Sequence, residues 1–255
     1  MISALLAAPE ATLLQLLFAS LRIGAALALL PGIGAMLLPL RARVGLAGAI
    51  GVLVQGVVPL AVPPDLLGVA GLLAVAGELV VGAIAGIVLQ IVFAGASIAG
   101  EVLSQSMGLG FATMLDPGGT TSPVIASFLG LMMWLVFLGL DGHLQLVALI
   151  VDSYRSLPPG SDPLRHAGDL VRFGGAAFGA GAMLALPVAA VLLLDNLLLA
   201  VVARSAPQLN IFAIGFPAMM VAGVVALPVA LPAMVASMAA VTTHGLDIMR
   251  GVLGG

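Results

Sequence analysis

The sequence contains no lysine and no cysteine, and it has only one tryptophan and one tyrosine. Without cysteine, disulfide frameworks, zinc–thiolate sites and thiol catalysis are excluded. Eight scattered arginines and a net charge of -3 form no basic patch, which excludes a nucleic-acid binder. One tryptophan and one tyrosine cannot build the aromatic belts that often mark both membrane interfaces, a first sign against a simple lipid-facing bundle.

Charge is scarce in this chain and hydrophobic residues are abundant. Charged residues make up 7% of the 255 positions and hydrophobic residues 62%, whereas soluble domains average about 25% and about 45–50%. So little polar surface cannot cover a soluble fold, and disorder requires the opposite composition. The composition therefore predicts a polytopic integral membrane protein.

Apolar segments long enough to cross a bilayer recur along the whole chain. A spanning helix needs about 20 mostly apolar residues. We expect an all-α polytopic protein built as a single membrane domain over residues 1–255. No nucleophile motif, phosphate-binding loop or histidine cluster occurs, so we expect no enzyme activity, no cofactor and no metal. The six predicted segments are residues 11–30, 44–62, 66–99, 124–151, 173–203 and 218–241.

Three interruptions separate the later segments: a Gly- and Ser-rich break at 100–123, a polar loop at 152–172 and a Gly- and Pro-containing break at 204–217. The first and third are apolar despite their Gly and Pro. Non-helical backbone at membrane depth is tolerated only where protein buries it or where it lines a cavity. These two breaks therefore predict a gate, a pore constriction or an obligate assembly.

Five ionisable residues fall inside the apolar segments, and placing one at the bilayer centre costs at least about 2.5 kcal/mol. We expect these ionisable residues to be buried, and they are Arg22, Glu78, Asp141, His143 and Asp195. One interpretation is that they pair with one another or sit at a break, and Asp141-Gly-His143 fits a helix break better than a dyad. The alternative is a proton-coupled secondary transporter that uses Glu78 and Asp195.

Two motifs resemble the FliR family, a membrane component of the flagellar export apparatus with relatives in injectisome type III secretion. They are QSMGLGFATMLDP at 105–117 and APQLNIFAIGFP at 206–217, with Gly142-His143 between them. The resemblance extends over nearly the whole chain. It implies a core subunit of the flagellar type III export gate in the bacterial inner membrane, at the basal body.

The same resemblance implies partners and an architecture. FliP-like and FliQ-like subunits would complete a spiral assembly of broken hairpins around a channel for unfolded flagellar proteins. FlhB-like and FlhA-like export components would lie nearby.

The resemblance also implies roles for individual residues. The loop within 100–123 would plug the channel, and a hydrophobic plug of this kind resists ions without a charged filter. Its implied plug or gate residues are Met107, Gly108, Gly110, Phe111, Met114, Asp116 and Pro117. The residues implied at the second break, with a role in assembly, are Pro207, Gln208, Asn210, Phe212, Gly215, Phe216 and Pro217.

Overall fold

A computed structural model describes residues 9–31, 39–58, 60, 68–109, 124–162, 167–205 and 211–254. These residues form helices and short turns, and no strand occurs among them, which confirms the predicted all-α class. In chain order the helices are α1 (Pro9–Leu29), α2 (Leu40–Val57), α3 (Val69–Ser106), α4 (Val124–Gly139), α5 (Gly142–Ser156), α6 (Ala167–Ser205) and α7 (Ile211–Gly254).

Four of these helices, α2, α3, α6 and α7, are long and apolar enough to cross a membrane. The pair α4 and α5 makes a fifth candidate span if it is counted as one bent segment. Helix α1 is apolar but shorter over its described part, Leu13–Leu29. The six predicted apolar segments thus correspond to four long helices, one bent pair and one short helix.

The helices extend further into the predicted breaks than the sequence pattern indicates. Helix α3 continues to Ser106, so the break predicted from residue 100 begins after it. Helix α7 begins at Ile211 and contains Pro217, so most of the second predicted break is helical. Proline removes one helical hydrogen bond without necessarily ending a helix in apolar surroundings.

Helices α4 and α5 meet at a sharp bend of 63°. Asp141 lies at the bend with a left-handed backbone (φ 56°), a conformation that Asp adopts more readily than most residues. The amide nitrogens of Leu144 and Gln145 both donate to the carbonyl oxygen of Asp141 and start the next helix. The predicted helix break at Asp141-Gly-His143 is confirmed.

The chain divides into two compact units. Unit 1 comprises Met1–Ile91, Asp141–Gly174 and His244–Gly255, and unit 2 comprises Val92–Leu140 and Gly175–Thr243. In unit 1, α1 packs against α2 and contributes the buried side chains of Phe18 and Ile23.

In unit 2, α3, α4, α6 and α7 meet around a narrow gap. Val92, Met133, Leu184 and Met238 line it, one from each helix. In the same unit, the rings of Phe93, Trp134 and Phe137 pack together with centroids 4.9–5.9 Å apart, and Phe137 meets both other rings edge to face.

Burial differs strongly among the long helices. Half of the most apolar window of α3 is buried within the chain, against 17% in α6 and in α7. In these windows α3 is therefore covered by the chain much more than α6 and α7, whose apolar windows are mostly uncovered. For example, four leucines on two successive turns of α6 are 57–65% exposed: Leu193, Leu194, Leu197 and Leu198.

Candidate functional site

The most complete polar site lies in unit 1, where Arg22 of α1 and Glu78 of α3 are 1% and 2% exposed. Nε of Arg22 donates to Oε2 of Glu78 and Nη2 donates to Oε1, each at 2.8 Å. Two parallel bonds between a guanidinium and a carboxylate form a strong bidentate pair. Because a single buried charge is costly, each group stabilises the other, and the pair ties α1 to α3.

Helix α5 and the residue after it supply further partners of Arg22. Nη1 donates to Oγ of Ser153 at 2.8 Å, and Nη2 donates to the carbonyl oxygen of Leu157 at 2.9 Å. The guanidinium carbon lies 4.0 Å from the centre of the Tyr154 ring, a cation–π contact. The hydroxyl of Tyr154 donates to the carbonyl oxygen of Ala19 at 2.7 Å. We call Arg22, Glu78, Ser153, Tyr154 and Leu157 the Arg22 cluster.

Two glycines of α3 let α1 approach closely enough for this cluster to form. A Cβ atom added at Gly82 would lie 2.9 Å from Cβ of Ala25 and would overlap the backbone of Arg22. A Cβ atom at Gly86 would lie 3.0 Å from the carbonyl oxygen of Ala26. Small residues four positions apart permit such close contacts between apolar helices. The close approach of the α1 and α3 backbones therefore requires residues without side chains at positions 82 and 86, in addition to the ion pair.

The contacts of Glu78 match the interpretation in which the ionisable residues pair with one another. Both oxygens of Glu78 accept hydrogen bonds from Arg22, so this carboxylate acts as a buried counter-ion and a helix link. A proton carrier needs a carboxylate that can exchange with water, and Glu78 is 2% exposed. The second carboxylate of the transporter hypothesis, Asp195, belongs to unit 2. The expected burial of Asp141 and His143 is wrong, because both are exposed at the bend between α4 and α5, where the helix is interrupted.

A second site lies in unit 2, where α3 ends. The amide of Gly108 donates to the carbonyl of Gln105 and the amide of Leu109 donates to that of Ser104, which closes the helix with a Schellman motif. Gly108 has φ +76°, as the glycine of this motif requires. Gly108 therefore has an evident local role, which is to end α3 at the start of the segment predicted to be a plug.

Helix α7 packs directly on this helix end. The ring of Phe216 fills the space beside Gly108, 2.9 Å from where a Cβ atom would stand. Met107 is 1% exposed and its side chain lies against Gly223, so close that a Cβ atom there would be 2.5–2.7 Å away. We call Met107, Gly108, Phe216 and Gly223 the loop base. It brings together residues of the two motifs that lie 108 positions apart in the chain.

Other residues predicted at these sites are placed only in part. Gly215 is buried in α7 and Pro217 is exposed on it. Phe212 belongs to α7, but its side chain lies outside the described part of the structure. Eight predicted residues lie outside the described residues altogether: Gly110, Phe111, Met114, Asp116, Pro117, Pro207, Gln208 and Asn210.

Sequence reasoning missed the partners of Arg22 on α5. Ser153 and Tyr154 are both buried in the structure. In the sequence they are polar residues directly after an apolar run, and this pattern could have indicated a buried hydrogen-bond network. It also missed Gly223, because a single glycine in a chain with 33 of them carries no distinctive signal. Among the described residues, no group of three or more His, Asp or Glu could hold a metal ion.

Comparison with known proteins agrees with this architecture. The model of the family described as bacterial export proteins, family 1, matches residues 13–245. The chain is 40% identical over 195 residues to the flagellar biosynthetic protein FliR of Pectobacterium carotovorum subsp. carotovorum, covering 75% of this chain and 74% of that protein.

Two further relatives have the same name. The protein of Escherichia coli (strain K12) is 39% identical over 158 residues, covering 61% of this chain and 60% of that protein. The protein of Aquifex aeolicus (strain VF5) is 32% identical over 243 residues, covering 94% of this chain and 93% of that protein. The range matched by the family model contains residues of both units, of the Arg22 cluster and of the loop base. With this match and the identity to the FliR relatives, the chain belongs to the FliR family of bacterial export proteins.

Proposed function

We propose that this chain is a core membrane subunit of the flagellar type III protein export gate, located in the bacterial inner membrane at the flagellar basal body. With FliP-like and FliQ-like subunits it forms a channel for unfolded flagellar proteins, next to FlhB-like and FlhA-like export components. The observation that carries the proposal is the loop base, where the two family motifs meet. The relatives' common name, flagellar biosynthetic protein, supports the same system.

The uncovered surface of α6 and α7 supports an assembly. At 1.5 Å per residue, their 39 and 44 residues extend over about 58 Å and about 66 Å. A hydrocarbon core is about 30 Å thick, and helix tilts reach about 40°. Even at that tilt, the apolar surface of both helices extends beyond the lipid. We infer that neighbouring subunits cover the remainder.

The loop base supports a gate made of apolar groups. It holds the helix end that precedes residues 110–123 through Met107, Phe216 and two glycines, without a charged side chain. A constriction lined by such groups blocks ions by excluding water. The anchoring of this helix end on α7 would keep the plug-like segment in position until a substrate arrives.

The assembly is tested by native mass. The tagged chain is expressed with its neighbouring genes, extracted gently and weighed by native mass spectrometry. We expect one large complex that contains two further small hydrophobic proteins. A monodisperse monomer that stays stable in mild detergent would contradict the proposed function, because it would show that the uncovered helices need no partner.

The gate is tested at Gly108. Gly108→Ala strains a positive-φ backbone and also pushes a methyl group into the Phe216 ring. Gly160→Ala is the matched control, because Gly160 has φ +89° but nothing within 4 Å of an added Cβ. We expect only Gly108→Ala to raise ion leakage through the complex or to lower flagellin secretion. Equal ion leakage and equal flagellin secretion in both variants would show that the loop base is not part of the gate.

A further inference from the structure

Asp195 of α6 carries an atom whose partner is missing within the chain. Among the described residues, two buried side-chain atoms lack a hydrogen bond: Nε2 of Gln55 and Oδ2 of Asp195. Only the second belongs to an ionisable group. The neighbouring Asn196, by contrast, donates from Nδ2 to the carbonyl oxygen of Leu192 at 3.1 Å. A carboxylate oxygen withdrawn from solvent and without a donor is costly, so it signals an absent partner.

The position of Asp195 on α6 shows where that partner packs. The inward stripe of α6 contains Leu184, Val188 and Leu192, which are at most 4% exposed. At helical spacing the same stripe continues through Asp195 and Leu199, which are only half-buried. The packing supplied by this chain thus weakens one turn after Leu192. Asp195 lies where a further helix can continue the packing along the same stripe.

Unit 2 offers no cation that reaches Asp195. Its two stretches, Val92–Leu140 and Gly175–Thr243, contain a single basic residue, Arg204. Arg204 follows Asp195 by nine positions on the same helix. Nine residues turn an α-helix by about 180° and advance it by about 14 Å, so Arg204 points to the opposite face. The counter-charge must come from outside unit 2.

The surroundings of Asp195 favour a protein partner. Leu194 and Leu198, which lie next to it on one side of the helix surface, are 62% and 65% exposed. A charged carboxylate beside uncovered apolar surface is costly in lipid unless a cation neutralises it. We propose that a membrane helix of a neighbouring subunit packs along α6 at Asp195 and Leu199 and brings an arginine or lysine side chain to Asp195. The inference rests on the proposed function, because it requires neighbouring subunits.

The first experiment separates charge from shape. Asp195→Asn removes the charge at nearly constant volume, and Asp195→Glu keeps it. Asp152→Asn is the matched control, since it makes the same substitution at an aspartate of α5 that is 68% exposed and already paired with Arg155. The measurement is the amount of other membrane subunits retained on the tagged chain after gentle extraction, normalised to its own level.

We expect Asp195→Asn to lower retention by at least about tenfold, because truncating one member of a buried charge pair at an interface weakens association by that much or more. Asp195→Glu and Asp152→Asn should retain most of the partner. Normal retention in Asp195→Asn would overturn the inference. If the wild-type chain itself retains no membrane subunit, the proposed function fails as well.

A second experiment keeps Asp195 intact and so does not depend on variants that assemble poorly. A photo-crosslinking amino acid replaces Leu199, one turn after Asp195. We expect an adduct with another membrane subunit, joined to a helix that contains an arginine or lysine. An adduct that adds only the mass of one lipid, or a second copy of this chain, or no adduct, would each overturn the assignment of the partner.

Discussion

The buried Arg22–Glu78 pair makes a quantitative prediction about stability. Glu78→Leu removes two hydrogen bonds of 2.8 Å and leaves the guanidinium with Ser153, Leu157 and the Tyr154 ring as its remaining partners. Breaking one side of a buried ion pair costs about 3–5 kcal/mol. That is a large share of the roughly 5–15 kcal/mol by which a typical domain is stable. Arg22→Met should cost a similar amount, because it leaves the carboxylate buried and unpaired.

The double variant, Arg22→Met with Glu78→Leu, should be less damaging than either single change. It removes both charges, and the one polar group that it leaves without a hydrogen-bond partner is the carbonyl of Leu157. Such an unpaired buried group lowers the free energy of unfolding by about 1–3 kcal/mol. Ser153 keeps its hydrogen bond to the carbonyl of Ile150 at 2.6 Å. The assay is the melting temperature of the complex that contains the chain, purified in mild detergent, together with the steady-state level of the chain in membranes.

The matched control is Arg250→Met on the surface of α7. Nη1 of Arg250 lies 2.7 Å from Oδ1 of Asp247, as close as the buried pair, but the two side chains are 58% and 66% exposed. An exposed pair of this kind contributes at most about 1 kcal/mol. A double variant whose loss of stability equals the sum of the two single losses would contradict this prediction. So would an Arg250→Met variant that is destabilised as much as Arg22→Met.

Two further predictions concern the same interface. Gly82→Ala should destabilise the α1–α3 contact because the added methyl group would meet Ala25 and the backbone of Arg22, whereas Gly77→Ala on the same helix meets nothing within 4 Å and should leave the melting temperature unchanged or slightly raised. Tyr154→Phe should cost about 1 kcal/mol, since it removes the hydrogen bond to Ala19 but keeps the aromatic face over the guanidinium. A Gly82→Ala variant as stable as Gly77→Ala, or a Tyr154→Phe variant with the loss seen for Arg22→Met, would contradict these expectations.

The predicted breaks show how a sequence pattern can mislead locally. The sequence pattern predicted irregular backbone at residues 100–106, which contain Gly100, and at residues 211–217, which contain Gly215 and Pro217, yet both stretches are helical. In water, Gly and Pro weaken helices, but apolar surroundings leave the backbone no other hydrogen-bond partners, so the helix persists. At Gly108, where the backbone does turn, the reason is the left-handed conformation that ends α3.

The sequence by itself determined the class and the family of this protein. Composition and the length of apolar runs are local properties, and they were sufficient for an all-α membrane chain. The motifs at 105–117 and 206–217 were sufficient for the family resemblance, because a long run of matching residues needs no coordinates. The five ionisable residues in apolar segments were also identified from the sequence, but their partners were not.

Only the tertiary structure decided what those residues do. Arg22 and Glu78 are 56 positions apart and Gly108 and Phe216 are 108 apart, and no helical or strand period links positions at such distances. Their contacts depend on which helices pack together and in what rotation, which is set by the whole set of buried surfaces at once. The same dependence explains why the structure made Glu78 a counter-ion and left Asp195 without one: a helix from the same chain brings an arginine to the first, and none in unit 2 brings one to the second.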